Sequence, residues 1–348
     1  MKLYKKIIFI LIVFFKTETV LSENNLFNVN NIQLEKKENL TNNELANQAI
    51  KTGFNQLIEK ILLKTDSDKL KDMDFSSIKQ LVTYYQITKA SNKKKNEELV
   101  IFSVTFDKDK IHNLFYERGL SYSEILDKEL YVLPIFIKSD EIFIFNNNFF
   151  YENWNQFYQN ELIEFILPLE NIEIIQKINN NKNSLIDLKI NNLLQEYSKK
   201  NLALIFIEEN KNSIKKVYIK TSIQGKDISK SLAIKKNNLA SKQNYEKIII
   251  EIKKELINLV KSENLIDIRT PSFLNAKLDL NKKSNLVQLN QRIKNIDLIE
   301  NVYVQDFNKD FMNLRIKYLG KLEKIINQLK KENINLQLVN DQWIIKAL

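Results

Sequence analysis

Residues 202–207 read LALIFI, an apolar run that contains no polar side chain. Such a run is typical of a strand buried on both faces of its sheet, because a strand with one face in water alternates apolar and polar residues. Two alternating strands are predicted next, at 217–223 and 228–234, with Gly225 in the tight turn between them. A helix over Tyr245–Val260 follows, with apolar residues at helical spacing. The middle of the chain is therefore predicted to be a mixed α/β sandwich.

A few residues mark where other elements begin and end. Thr41-Asn-Asn-Glu44 has the pattern of a capping box at the start of a helix. Gly119 stands where a helix over Lys108–Arg118 is expected to end. The strand predicted over Glu129–Lys138 contains Pro134, which cannot donate a hydrogen bond to a neighbouring strand. This proline favours a sheet edge or a strand end.

The 348-residue chain is predicted to form three domains after its N-terminal segment. An N-terminal α/β domain covers 23–128 and a middle α/β domain covers 129–262. A linker at 263–275, around Pro271, precedes a C-terminal domain at 276–348. The apolar pattern of that last domain has the order βαββαβ of the ferredoxin-like fold, which carries many unrelated functions. The predicted fold class is α+β, or mixed α/β, built from small sheet-and-helix sandwiches.

The N-terminus has the three parts of a secretory signal peptide. Three lysines within the first six residues precede the apolar run Ile7–Phe15, and the polar segment Thr17–Ser22 follows. An apolar run of nine residues is too short to span a bilayer, which takes about 20. We therefore predict a signal peptide at 1–22, cleavage between Ser22 and Glu23, and a periplasmic protein. The alternative is an uncleaved segment that tethers the protein to the inner membrane.

Composition excludes several kinds of site. The chain has no Cys, one His and 4 Gly, so disulfides, thiolate or His-cluster metal sites and Gly-rich phosphate loops cannot form. Lys and Arg total 53 against 43 Asp and Glu, but only four of the 53 are Arg. Abundant Lys, Asn and Ile are typical of AT-rich codon usage, and Arg is the residue best suited to read phosphates and guanine. We expect no nucleic-acid partner, no cofactor and no metal.

Two other patterns are weak candidates for chemistry. His112 has Asp107 and Asp109 nearby, which would suit an acid/base histidine, but an exposed or half-buried helix residue is the favoured interpretation. Replacing it with Ala is then expected to cost little stability. Asp66-Ser-Asp68 and Asp107-Lys-Asp109 resemble the start of a calcium loop, although both lack the Gly and Glu that complete one.

The densest aromatic group of the chain lies just after the strand that contains Pro134. It is either an exposed patch for a partner or ligand, or a helix that packs its rings into a core, which is the more usual arrangement. As an interaction patch it comprises Phe149, Phe150, Tyr151, Trp154, Phe157 and Tyr158.

Several features together resemble a family of exported bacterial proteins, the domain of unknown function 2066 family. They are the amphipathic segment ELANQAIKTGFNQLIEKIL at 44–62, the strand end Phe106-Asp107 with Gly119-Leu120 behind it, and the buried strand and ribbon at 202–235. The resemblance covers most of 25–260, and Ser121–Lys128 departs from the family pattern. The middle region is also similar in layout to α/β domains of periplasmic assembly proteins such as TolB and CsgG. Neither likeness carries over a catalytic or binding residue.

The sequence therefore favours a non-enzymatic assembly or interaction module of the cell envelope. Its expected partners are other envelope proteins, and its membrane contact is limited to the signal segment if that segment is uncleaved. The alternative is a periplasmic ligand-binding protein or a hydrolase that uses carboxylates alone, because Asp and Glu residues from distant segments can meet in a fold.

If the signal-peptide interpretation is correct, the mature protein recovered from cells begins near Glu23. It is then released by osmotic shock, because nothing holds it to the membrane after cleavage. N-terminal sequencing of the released protein checks this expectation. An intact N-terminus in the membrane fraction would favour the tether, and full-length protein in the cytoplasm would contradict export.

Overall fold

A computed structural model describes residues 26–347 apart from 36–40, 93–96, 126, 159–161, 211–212, 235–240 and 281–285. The predicted signal segment, with Ser22 and Glu23, lies outside the described residues. The chain has an α+β fold and divides into two compact units. One unit combines the chain up to Tyr122 with Asp267–Leu348, and the other is Ser123–Ile266. This division differs from the three predicted domains, since the first and last regions fall into one unit.

Strands and helices are named here in chain order. The strands are β1 (Asn28–Glu35), β2 (Val82–Asn92), β3 (Glu97–Phe106), β4 (Tyr122–Ser123), β5 (Glu129–Lys138), β6 (Glu141–Phe143), β7 (Glu164–Ile166), β8 (Asn201–Asn210), β9 (Ser213–Ile223), β10 (Lys226–Leu232), β11 (Leu265–Ile266), β12 (Ser272–Asp279), β13 (Ile299–Phe307), β14 (Phe311–Tyr318), β15 (Ile334–Val339) and β16 (Gln342–Ala347). The α-helices are α1 (Asn42–Ile61), α2 (Lys64–Ser67), α3 (Phe75–Gln80), α4 (Lys108–Arg118), α5 (Phe149–Asn153), α6 (Ile172–Asn180), α7 (Ile190–Leu193), α8 (Ser241–Glu263), α9 (Leu286–Lys294) and α10 (Leu322–Lys331).

The first sheet of the first unit is antiparallel, with strand order β1-β3-β2. Helix α1 begins at the predicted capping box, where the Thr41 N–H donates to the Glu44 carboxylate at 2.8 Å. The helix packs closely on the sheet at Gly53, where a Cβ atom would lie 2.9 Å from Cδ1 of Ile32. Helix α4 ends at Gly119 with φ 61°, a left-handed conformation that glycine adopts without strain. Both helix-end predictions are confirmed.

The second sheet of this unit has the strand order β13-β14-β12-β16-β15. The elements follow the predicted order, but the ferredoxin-like arrangement has four antiparallel strands. Here β16 lies between β12 and β15 and runs parallel to β12. The turn Asn340-Asp341 has φ values of 48° and 62°, which suit a two-residue hairpin turn and fold β16 back against β15. The extra strand therefore enters the sheet as half of a hairpin.

The predicted linker 263–275 is more ordered than expected. It contains β11, and β12 begins at Ser272, so only Asp267–Pro271 has no regular structure. The Arg269 side chain forms two bonds of 2.8 Å with the Asp267 carboxylate, whose Oδ1 also accepts from the Arg269 backbone N–H at 2.9 Å. These bonds close the segment into a defined turn, which a composition of polar residues and proline does not reveal.

The second unit has a mixed sheet with the order β10-β9-β8-β5-β6, and β7 adds to β5. Strands β5 and β8 are parallel, whereas β8, β9 and β10 form an antiparallel meander. Leu204 of β8 belongs to the core beside α6 and α7, while Ala203 and Ile205 belong to the core beside α8. All three residues are fully buried. The prediction that LALIFI is a strand buried on both faces is confirmed.

Pro134 lies inside β5, a strand with neighbours on both sides, and not at a sheet edge or a strand end. On the side of β5 away from β8, β7 pairs with Glu129–Tyr131 and β6 pairs with Phe136–Lys138. The backbone of β5 between these two short strands therefore has no strand partner on that side. The Pro134 carbonyl points into this gap and accepts a hydrogen bond from the side chain of Asn148 at 2.9 Å. Because the N and C=O of one strand residue face the same neighbour, the missing N–H of proline falls where no strand acceptor exists.

Asn148 is fully buried and ties three elements together. Its amide nitrogen also donates to the carbonyl groups of Phe143 and Ile144 at 3.0 and 2.8 Å. Its oxygen accepts from the backbone N–H groups of Phe150 and Tyr151 at 3.1 and 3.3 Å, which caps α5. One side chain thus fixes the middle of β5, the end of β6 and the start of α5.

We predict that Asn148→Asp lowers the free energy of unfolding of the second unit by about 3–5 kcal/mol, because a carboxylate keeps the helix cap but faces three carbonyl oxygens. Urea unfolding followed by circular dichroism measures the loss. Asn147→Asp is the matched control, since Asn147 is the exposed neighbour and aspartate tolerates its φ of 57°. Equal stability of the two variants would contradict the role given to the Asn148 amide.

Candidate functional site

The predicted aromatic interaction patch is largely a core. Phe150 and Trp154 are fully buried, so they are unavailable to a partner, and the exposed-patch interpretation is wrong for them. Phe149, Phe157 and Tyr158 are partly buried and pack against the same core. These rings are buried because Asn148 caps the start of α5, and α5 then packs them against α8.

Tyr151, the remaining member of the predicted patch, packs on the opposite core. Its hydroxyl donates to the carbonyl of Pro168 at 2.7 Å, and its ring meets Phe145 edge to face at 5.2 Å. Burial raises the pKa of this phenol above its ordinary value. The two cores therefore divide the aromatic group between them.

Lys253 of α8 reaches into the aromatic core. Its Nζ donates to the carbonyl of Phe157 at 2.7 Å and lies 5.6 Å and 5.1 Å from the ring centres of Trp154 and Phe165. Burial lowers the pKa of this amine to about 8, which would favour nucleophilic chemistry. The residue is only 2% exposed, however, so its amine is enclosed by the protein. The amine holds α8 against the segment after α5.

Glu209 lies at the carboxyl end of β8, beside the end of the parallel strand β5. Its side chain is 1% exposed, accepts a hydrogen bond from the Tyr245 hydroxyl at 2.5 Å and pairs with Lys138 Nζ at 2.9 Å. Burial and the bond to Glu209 raise the pKa of Tyr245 well above its ordinary value. Carboxyl ends of parallel strands often carry ligand sites. Here the carboxylate is occupied by a phenol and an amine of the same chain.

His112 is buried, which corrects the prediction of an exposed or half-buried residue. Its ring stacks on Tyr122 at 5.3 Å and meets Phe27 edge to face at 5.5 Å. Among the described residues its Nε2 has no hydrogen-bond partner, so no carboxylate orients it for acid/base catalysis. Burial, with a smaller effect of Lys108, lowers its pKa to about 4. Spacing along a helix did not reveal the two rings that enclose it.

The carboxylates that resemble calcium ligands serve other purposes. Asp66 pairs with Lys69 at 2.7 Å, Asp68 pairs with Lys71 at 2.5 Å, and Asp107 caps α4. Within the described ranges, no group of three or more His, Cys, Asp or Glu side chains is placed to hold a metal ion. Along the same part of the chain, no helix is long and apolar enough to cross a bilayer.

A polar cleft of about 340 Å³ lies on the second unit between α6 and α7. Lys177 at its wall donates to the carbonyl of Asn192 at 3.2 Å. The other lining residues are Asn181, Ser184, Asp187, Leu188, Lys189 and Leu193. A cleft of this size can hold a small molecule.

The most distinctive accessible surface is one side of the second sheet of the first unit. Side chains alternate along β12, so that Leu274 and Ala276 are buried while Phe273 is 48% exposed. Tyr303 on the neighbouring part of the sheet is 45% exposed. We call this side the outer face, made of Phe273, Asn275, Lys277, Asp279, Tyr303, Phe311, Asn313, Arg315 and Lys317. It presents aromatic rings and cations together.

Cations lie directly over rings on the outer face. The Arg315 guanidinium is 4.2 Å from the centre of the Phe273 ring, and Lys277 Nζ is 4.1 Å from that of Phe311. Each pair joins β12 to β14. The sequence-based prediction did not identify this surface, because the C-terminal domain was predicted to begin at 276, after Phe273. Apolar and polar residues alternate in SFLNAKLD from Leu274 and in FMNLRIKY from Met312, and this alternation was the available signal.

Neither protein-family models, nor curated proteins, nor solved structures give a match to this chain.

We predict that His112→Phe reduces the sensitivity of stability to acid. The folded protein holds the His112 pKa at about 4, below the ordinary 6.5, so between these values the unfolded chain binds a proton that the folded protein refuses. Stability therefore falls as the pH drops from 6.5 to 4, by roughly 2–3 kcal/mol for this group. Phe keeps the ring and removes that loss.

Urea unfolding at several pH values, for the wild type, His112→Phe and the exposed control Asn113→Ala, measures this difference. Parallel pH profiles for wild type and His112→Phe would show that the imidazole is not protected from protons. His112→Ala, in contrast to the sequence-based expectation, is predicted to cost about 2 kcal/mol because it leaves a cavity between two rings.

Proposed function

We propose that this chain is a non-enzymatic interaction module of the cell envelope, exported into the periplasm. The observation that carries the proposal is the outer face, where aromatic rings and cations are exposed on a regular sheet. Interfaces are enriched in aromatic residues and arginine, and the residues that bind strongly are often of these types. This surface therefore has the composition of a protein-binding site.

The chemically unusual groups of the chain support the non-enzymatic part of the proposal. Burial lowers the pKa of Lys253 and of His112, and the buried Glu209 accepts a hydrogen bond from Tyr245; all three side chains are enclosed by groups of the same chain. A catalytic acid, base or nucleophile has to reach its substrate. Enclosed groups stabilise the fold instead.

The sequence of residues 1–22 supports the periplasmic location. Other envelope proteins are then the partners that the module meets, and tethering to the inner membrane is the alternative if the segment is not cleaved. The sequence resemblance to exported proteins of the domain of unknown function 2066 family, and the similarity in predicted layout of the middle region to TolB and CsgG domains, are consistent with such a role.

A ligand-binding or carboxylate-based hydrolytic function is the second candidate, and the polar cleft at Lys177 favours it. Asp187 lines this cleft, so a carboxylate is present where a small molecule could bind. Turnover in a broad hydrolase screen that one Asp or Glu substitution abolishes would replace the interaction module with this second function.

Site-specific photocrosslinking in cells tests the interaction module. A benzophenone amino acid at Tyr303 is expected to give one or a few discrete crosslinked products. The same amino acid at Tyr116, which is 62% exposed on α4 and away from the outer face, serves as the control. Discrete products from Tyr303 alone support the proposal. Identical patterns, or no products at either position, contradict it.

A further inference from the structure

We infer that the outer face binds an acidic polypeptide segment in an extended conformation, with carboxylates held by Arg315 and Lys277. The inference rests on the proposed interaction function and names the class of partner. It follows from which cations on the face are paired, how they are held and how far apart they lie.

Two cations on the face have no carboxylate partner among the described residues. Lys317 is neutralised by Glu300 at 2.7 Å, whereas Arg315 and Lys277 lie over rings and form no ion pair within the described part of the chain. A ring beneath a cation limits its side-chain freedom without neutralising its charge. Arg315 and Lys277 are therefore positioned for an anion that the described residues do not supply there.

The planar guanidinium of Arg315 is suited to a carboxylate. Arg can bind both oxygens of a carboxylate through its fork while it stacks on an aromatic ring. The described acids of the face lie at its end and edge: Asp279 is the last residue of β12, opposite Phe311, and on β13 Glu300 pairs with Lys317 and Asp306 accepts from Asn313 at 2.9 Å. The centre of the face is thus positive and amide-rich.

The spacing of the two cation–ring pairs indicates an extended ligand. Phe273 stands opposite Lys317, and Phe311 stands opposite Asp279, six residues further along β12. Six residues of a strand span about 20 Å, the spacing of the two ring-bearing positions, whereas Arg315 and Lys277 stand two positions apart between them. A segment of about seven extended residues therefore covers both cation–ring pairs. Asn275 and Asn313 lie between the pairs and can hydrogen-bond to its backbone.

The same geometry disfavours single-stranded nucleic acid. Sheet surfaces that bind single strands stack bases on open aromatic faces. Here a cation already lies over the ring of Phe273 and another over that of Phe311. A carboxylate, in contrast, binds to the side of each cation that faces away from the ring. That side stays accessible although the ring itself is covered.

Fluorescence anisotropy with the purified mature chain tests the inference. The probe is a labelled decapeptide with glutamates at both ends and apolar residues between them, compared with the same peptide carrying lysines.

The double variant Arg315→Gln/Lys277→Gln is expected to weaken binding of the acidic peptide about tenfold, and higher salt is expected to weaken it in the wild type. Lys51→Gln/Lys79→Gln removes the same charge from exposed positions on α1 and α3 and is expected to leave binding within twofold.

Arg315→Lys is the more specific variant, because it keeps the positive charge and removes the planar guanidinium. An affinity for the acidic peptide between those of the wild type and the double variant supports bidentate recognition of a carboxylate. Unchanged circular dichroism spectra show that the variants fold. Equal binding of acidic and basic peptides, or equal loss in both double variants, overturns the inference. Tighter binding to a dT10 oligonucleotide or to phosphatidylglycerol vesicles, abolished by the Arg315/Lys277 change, also overturns it.

The outcome is separable from that of the proposed function. Discrete crosslinks from Tyr303 without binding of the acidic peptide leave the interaction module standing and remove the acidic partner class. If the wild type binds the acidic peptide and the Arg315/Lys277 variant does not, the outer face recognises carboxylates. That result stands even if crosslinking in cells contradicts the interaction module.

Discussion

The second unit depends on one buried amide. Asn148 supplies the hydrogen-bond donor for a strand carbonyl that has no strand opposite it, and the acceptor for a helix that would otherwise begin uncapped. Because buried carbonyl and N–H groups need partners, this single side chain allows two short strands, β6 and β7, to share one edge of β5. It also allows a proline in the middle of that strand. The aromatic core then forms where the capped helix places it.

The elements that the sequence predicts best are those decided by local patterns. The apolar run at 202–207, the capping box at Thr41 and the glycine at 119 each reflect a constraint within a few residues, and the structure confirms them. Asn148 could not be recognised in this way. Its partners are a strand carbonyl fourteen residues away and the local backbone, and asparagine is equally common in loops of this chain.

The candidate sites were less predictable because function depends on which side of an element faces water. A dense group of aromatic residues indicates a large apolar area, but only tertiary packing decides whether Trp154 faces solvent or Lys253. The burial of His112 was mispredicted for the same reason, since Phe27, one of the two rings that contact it, comes from a distant segment. The outer face escaped notice because its rings stand at strand ends, where pattern-based boundaries are least certain.

The inserted strand β16 has a consequence for how the second sheet of the first unit folds. The free edge of β12 has two candidate partners in the chain, β15 and β16, and pairing with β15 would give the simpler antiparallel topology. Strand β16 carries three consecutive apolar residues, Trp343-Ile-Ile345, whereas β15 alternates, and continuous apolar strands belong in sheet interiors. Burial therefore selects the non-local parallel partner. Pairing of β12 with β15 would instead leave the apolar strand β16 at the sheet edge, where its unpaired backbone could pair with another chain, so the observed order also guards against edge-to-edge association.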